Sequence, residues 1–283
     1  MNEKVSKREK ITLAIFIFVT ITAGIFGCLL DQVLTKQPEG NSLGMGLWLI
    51  LPFFTGIVLQ IINKDLHGIG IRLNFKSNLK WYAIAVLIFP FITLVSVILA
   101  KVSGGLVVSE IELNVLLALI LTTFFANFIK NIFEEFAWRG CLFIYLEKTG
   151  MNDWYLYLTN GLIWGTWHIT YYMFFLPDEY FTEISRSMMV IVGIILMIIW
   201  TPMFVEIRRL TNSVWPCVIL HSMEDAIPTM LFVTANVFQI EERYSVMLDP
   251  ISGIVPTVLA LFIGLGLRKC RLKRDTKYAE GVK

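Results

Sequence analysis

The sequence predicts an all-α fold: a polytopic membrane protein built as a bundle of about eight transmembrane helices. Two observations predict it. The chain is 56% hydrophobic and only 16% charged, with a mean hydropathy of +0.69, where a soluble domain carries about 25% charged residues. Its apolar residues also gather into eight runs, each near the ~20 residues a helix needs to cross about 30 Å of hydrocarbon. The net charge of +2 says little, because the charges are segregated along the chain. Cys28, Cys141, Cys217 and Cys270 are scattered without a CxxC or metal-type spacing, and read as free thiols rather than a disulfide framework.

A basic stretch, residues 1–10, precedes the first span, Ile11 to Leu30. That run is long enough to cross and has no clear small-x-small site, so it is read as a membrane helix rather than a signal peptide. The second span is Leu43 to Ile62. A polar connection carrying His67, read as a solvated loop residue, leads to the third, Trp81 to Ala100. The fourth covers Asn114 to Phe133, the fifth Trp154 to Phe175, the sixth Met188 to Val205, the seventh Val214 to Val233 and the eighth Ile251 to Leu267. A basic tail, 268–283, follows.

Charge alternates across these spans as the positive-inside rule requires. Lys4, Lys7, Arg8 and Lys10 precede the first, and Lys64, Arg72, Lys76 and Lys80 fill the 2–3 connection. Arg139 and Lys148 lie in the 4–5 connection, Arg208 and Arg209 in the 6–7 connection. The opposite connections hold only Lys36, Lys101, Arg186 and Arg243, beside Asp178, Glu179, Glu183, Glu241 and Glu242. Lys130 remains, inside the fourth span. The reading is a multi-pass protein of the cell membrane with both termini cytoplasmic. Residues 1–283 form one membrane-embedded domain without internal repeats, and no nucleic-acid partner is expected.

Candidate chemistry begins with Glu134 and Glu135 at the end of the fourth span, with Arg139 one turn on. A charge at the bilayer centre costs at least a few kcal/mol, so ionisable residues there are functional or tightly paired. Glu135 and Arg139 are four apart and share a helix face, while Glu134 points about 100° away. One glutamate can be held by the arginine while the other serves chemistry. Read alone, the stretch is equally an ion-paired helix end among headgroups.

Two histidines lie inside apolar helices. His168 is in the fifth span, with Trp164 one turn before it. His221 is in the seventh, with Asp225 four residues on and Glu224 nearly on the same face. His221 and the glutamates are expected in the inner half of the bilayer, and His168 deeper, at ~1.5 Å per residue. Two chemistries fit. A glutamate and a histidine can deprotonate a water for attack on a peptide carbonyl, with polar groups of another helix stabilising the oxyanion. Two histidines and a glutamate can also bind zinc and a water, although nothing has the HExxH spacing. A proton-coupled transporter would use such residues as a relay, but usually shows repeated halves.

Glu134-Glu135-x-x-x-Arg139, Trp164-x-x-x-His168 and His221-x-x-x-Asp225, with Asn212-Ser213-Val214-Trp215-Pro216 leading into the third, resemble the ordered motifs of the CAAX protease and bacteriocin-processing family. These are Rce1-like intramembrane glutamic proteases. The resemblance covers about residues 115–230. It implies that Glu134 activates water with help from His168, and that Glu135 and Arg139 fix the geometry. His221 and residue 225 would stabilise the oxyanion, with no cofactor required. The family commonly has Phe where Trp164 stands and often Asn where Asp225 stands. An ionised Asp225 would repel an oxyanion, so in this reading Asp225 is either protonated, as an apolar site can keep a carboxylic acid, or serves to orient His221. The implied substrate is a hydrophobic or lipid-anchored peptide in the bilayer, as in CAAX processing or bacteriocin maturation and self-immunity. A non-catalytic immunity or scaffold protein of the same fold is the alternative.

Overall fold

A computed structural model describes residues 6–34, 36–38, 40–181 and 184–281. Lys4, Glu183 and Lys283, which belong to the charge pattern above, and the side chain of His67 lie outside the described residues. The chain is an all-α polytopic membrane protein. In order it forms α1 (Lys7–Val33), α2 (Leu43–Asn63), α3 (Phe75–Val102), β1 (Leu106–Val108), α4 (Leu113–Glu135), α5 (Phe143–Lys148), α6 (Asp153–Thr170), α7 (Arg186–Thr211), α8 (Trp215–Glu224), β2 (Phe238–Ile240), α9 (Glu242–Leu248) and α10 (Ile254–Ala279).

Local signals set these helix ends. Ser6 and Glu9 form a reciprocal capping box at the start of α1. Ser42 and Asn152 cap α2 and α6 by accepting from Met45 N and Tyr155 N at 3.0 and 3.1 Å. Lys64, at φ 56°, closes α2 in the left-handed conformation.

Among the described residues, three segments are wound as π-helix: Phe136–Leu142 joins α4 to α5, Tyr171–Phe175 follows α6, and Asp225–Thr234 follows α8. Their signature is a backbone bond reaching back five residues, as from Phe143 N to Trp138 O, from Leu176 N to Tyr171 O and from Ala235 N to Met230 O.

Helix occupies every predicted span. Among the described residues, six stretches are long and apolar enough to cross a membrane by length and composition: Lys7–Val33, Leu43–Asn63, Phe75–Val102, Leu113–Lys148, Arg186–Thr211 and Trp215–Thr234. The other two, α6 with its π extension and α10, are helical but interrupted by polar residues such as Asp153 and Asn160, or basic in their second half.

Three details differ from the sequence reading. The fourth span continues as helix to Lys148, so Arg139 lies within it and is fully buried rather than in a connection. Arg208 and Arg209 likewise end α7, and the basic tail from Arg268 prolongs α10. The third is a two-stranded antiparallel ribbon, Leu106 opposite Ile240 and Val108 opposite Phe238. It forms where Gly104, at φ +76°, ends the α3 turn ahead of the β-favouring Leu106-Val107-Val108.

The chain divides into two compact units, Met1–Ile69 with Phe133–Thr201 and Gly70–Ile132 with Pro202–Lys283. In the first, α1 packs on α2 and α6. Gly161 and Gly165 let α6 lie directly on the α7 main chain: a Cβ there would stand 2.5 Å from Ile198 Cα and 2.7 Å from Ile194 Cα. In the second, α3 packs against α8 and α10. Arg271 donates to Glu206 at 2.6 Å and Arg274 to the Leu210 carbonyl at 2.8 Å, tying the basic end of α10 to α7.

Candidate active site

The first unit holds the first two motifs. Glu135 and Arg139 are both fully buried, and Arg139 Nη1 donates to both carboxylate oxygens, at 2.9 and 3.1 Å. The guanidinium lies 4.0 Å from the centre of the buried Trp164 ring. A desolvated ion pair is expensive unless its geometry is good and its charges find further partners. The indole face supplies such a partner through its quadrupole. Trp164 thereby joins the two motifs. Glu134, on the neighbouring face of α4, is 4% exposed.

His168 is half-buried among aromatic rings, stacked with Tyr172 at 5.8 Å and edge-on to Trp167 at 4.7 Å. Its Nδ1 lies 2.9 Å from the Trp164 carbonyl. A carbonyl oxygen only accepts, so Nδ1 carries the hydrogen and Nε2 of the neutral ring keeps its lone pair. In the neutral ring of that tautomer, Nε2 is the nitrogen able to take up a proton. Trp164, one turn before His168, thus meets the imidazole both through its backbone oxygen and through its ring, whose centre lies 6.1 Å from that of the imidazole.

The second unit holds the third motif. Its approach is fixed by Asn212 in the left-handed conformation, by Ser213 Oγ accepting from Trp215 N at 3.3 Å, and by Trp215 Nε1 donating to the Ile71 carbonyl at 2.7 Å. Pro216 then sits in the first turn of α8, where its missing N–H costs nothing. His221, Glu224 and Asp225 each offer a ligand atom within 4.8 Å of the others.

Partners from α4 engage this cluster. Lys130 Nζ lies 3.2 Å from Asp225 Oδ1, and Asn131 Nδ2 donates to Asp225 Oδ2 at 2.8 Å and to Ser222 Oγ at 3.3 Å. Thr229 Oγ1 donates to Glu224 at 2.7 Å. The donor set suits a divalent cation by type, but the Lys130 ammonium already stands where a cation would draw on Asp225. Sequence reasoning missed Lys130, Asn131, Ser222 and Thr229 as site residues. The one available signal was a lysine inside an apolar span.

All three motifs meet a π segment. Glu134 and Glu135 end α4 at the first, His168 lies three residues before the second, and Asp225 opens the third. Residues 114–227 match the family model described as type II CAAX prenyl endopeptidase Rce1-like. Over these residues, less than half of its length, the chain is similar to that family. The matched segment contains every motif residue from Glu134 to Asp225, and the family it is similar to is one of endopeptidases of the CAAX protease type. Comparison with curated proteins found no match.

Proposed function

We propose that this chain is an intramembrane endopeptidase that hydrolyses a peptide bond in a membrane-tethered or hydrophobic substrate. Glu134 serves as general base toward a water and His168 Nε2 shares the proton. Glu135, Arg139 and Trp164 hold the geometry, and His221 with Asp225 serves the oxyanion. The observation that carries the reading is the π segment at each motif. π turns are rare and concentrate at functional sites, and three of them meet the three motifs of an Rce1-like segment. A structural helix end would need none. The alternation of basic and acidic connections along the chain supports an orientation with both termini cytoplasmic in the cell membrane.

The test compares purified wild type with Glu134→Gln and His168→Ala on lipid-anchored and hydrophobic peptides, with and without chelator. Loss of a general base lowers the rate by about 10²–10⁴-fold. Glu134→Gln is therefore expected to abolish measurable cleavage while melting with wild type. Cleavage that survives chelation supports a glutamate-activated water, and loss on chelation assigns the water to zinc. Absence of cleavage by wild type on every peptide, with the variants retaining the cellular phenotype, would leave a non-catalytic scaffold or immunity protein.

A further inference from the structure

We infer that Trp48, on α2 and outside the Rce1-like segment, is a positioning residue for His168; the catalytic part of this inference rests on the function proposed above. In an α-helix the Tyr171 N–H would bond to the Trp167 carbonyl, four residues back. Here it bonds to His168 O instead, as the helix changes its winding toward the π segment Tyr171–Phe175. The Trp167 carbonyl accepts from the Trp48 indole Nε1 at 3.1 Å, a buried bond between residues 119 positions apart. A buried carbonyl without a partner is costly. The indole therefore stabilises the turn in which the tyrosine amide has left its α-helical acceptor.

The same ring holds two neighbours of the histidine by stacking. It lies on Trp167 at 3.8 Å and 12° and on Tyr171 at 5.1 Å and 2°, the residues immediately before and three after His168. Its centre lies 6.1 Å from that of the His168 ring at 73°. Trp48 is 3% exposed. The imidazole thus projects from a turn whose carbonyl and two of whose rings are held by one side chain of another helix. Losing that hold lets the turn rewind toward α-helix, which moves the ring relative to the Trp164 carbonyl that selects its tautomer.

Trp48→Phe keeps an aromatic ring and removes the N–H, and Trp48→Ala removes both. The full chain in detergent micelles, with imidazole nitrogens labelled with ¹⁵N, reports the tautomer of His168 directly. Trp154→Phe, at an exposed tryptophan of the same unit, is the control. Wild type and Trp154→Phe are expected to show the single Nδ1–H form. Trp48→Phe should show a mixture of tautomers, and Trp48→Ala a larger loss of the Nδ1–H form. On a cleaved peptide, kcat should fall about tenfold in Trp48→Phe, near the loss of one hydrogen bond. In Trp48→Ala it should fall on the order of 10²-fold, as for a misplaced reacting group, with KM nearly unchanged in both.

An unchanged tautomer signal in Trp48→Phe, which keeps the ring and is expected to fold, overturns the inference whatever the activity does. If Trp48→Ala fails to fold, Trp48→Phe alone decides. A shifted tautomer in a protein whose wild type cleaves no peptide upholds the positioning role and overturns the protease reading.

Discussion

Glu135 and Arg139 are fully buried on both sides of a 2.9 Å contact, with a tryptophan ring 4.0 Å from the guanidinium. Lys130 and Asp225, at 3.2 Å, keep 33% and 13% of their side chains exposed and share their contact with Asn131. The first pair is local, four residues apart on one helical run, and sealed against exchange. The second joins residues 95 positions apart and leaves part of both side chains exposed. A sealed pair cannot change partners without unfolding its surroundings, so it acts as architecture. A half-open pair can give up one contact for another, so it can take part in binding and reaction.

The largest effect should follow from breaking the sealed pair. Arg139→Met removes the guanidinium that pairs with Glu135, and breaking a buried ion pair costs about 3–5 kcal/mol. Thermal unfolding of the purified protein should show a large fall in melting temperature. The double change Glu135→Leu/Arg139→Met should recover part of it, because no lone charge remains. A single variant that melts with wild type would show that the pair has no architectural role.

The same contrast explains what the sequence disclosed. Glu135 and Arg139 were readable as partners because they are four apart on a helix, a relation set by local geometry. Apolar runs likewise marked where helices lie, since burial in lipid leaves a compositional trace. The Lys130–Asp225 contact and the Trp48–Trp167 bond have no local pattern, because each depends on how distant helices pack. The π segments were invisible for a related reason. Extra winding is stabilised by contacts such as the Trp48 indole and the Asn160 amide, which donates to the Trp138 carbonyl at 3.2 Å, and not by a residue type at a fixed offset. The ribbon of β1 and β2 joins segments over 120 residues apart, so a three-residue apolar run could not announce its partner.

A smaller effect is expected at the half-open pair. Lys130→Met removes one charged contact of Asp225 and leaves the Asn131 bond, costing about 1–2 kcal/mol for a partly exposed charged hydrogen bond. In a double-mutant cycle with Asp225→Asn, thermal or denaturant unfolding should show the two changes to be coupled, as for residues in direct contact. Strict additivity would mean that the contact contributes nothing and that the openness of this pair has no functional bearing.

The smallest effect should come from Lys148, which lies against Asp65 and 3.6 Å from Glu9 with about a third of each side chain exposed. Surface pairs contribute at most about 1 kcal/mol, so Lys148→Met should barely move the unfolding midpoint. Salt turns these three sites into a scale of openness. Ions screen exposed charges within about 10 Å at 0.1 M and leave buried pairs nearly untouched. Raising the salt should therefore erase the Lys148→Met difference, reduce that of Lys130→Met and leave that of Arg139→Met unchanged. If the Lys130 difference were as insensitive to salt as the Arg139 difference, the pair would be sealed in solution, and its assignment to the reacting side of the protein would fall.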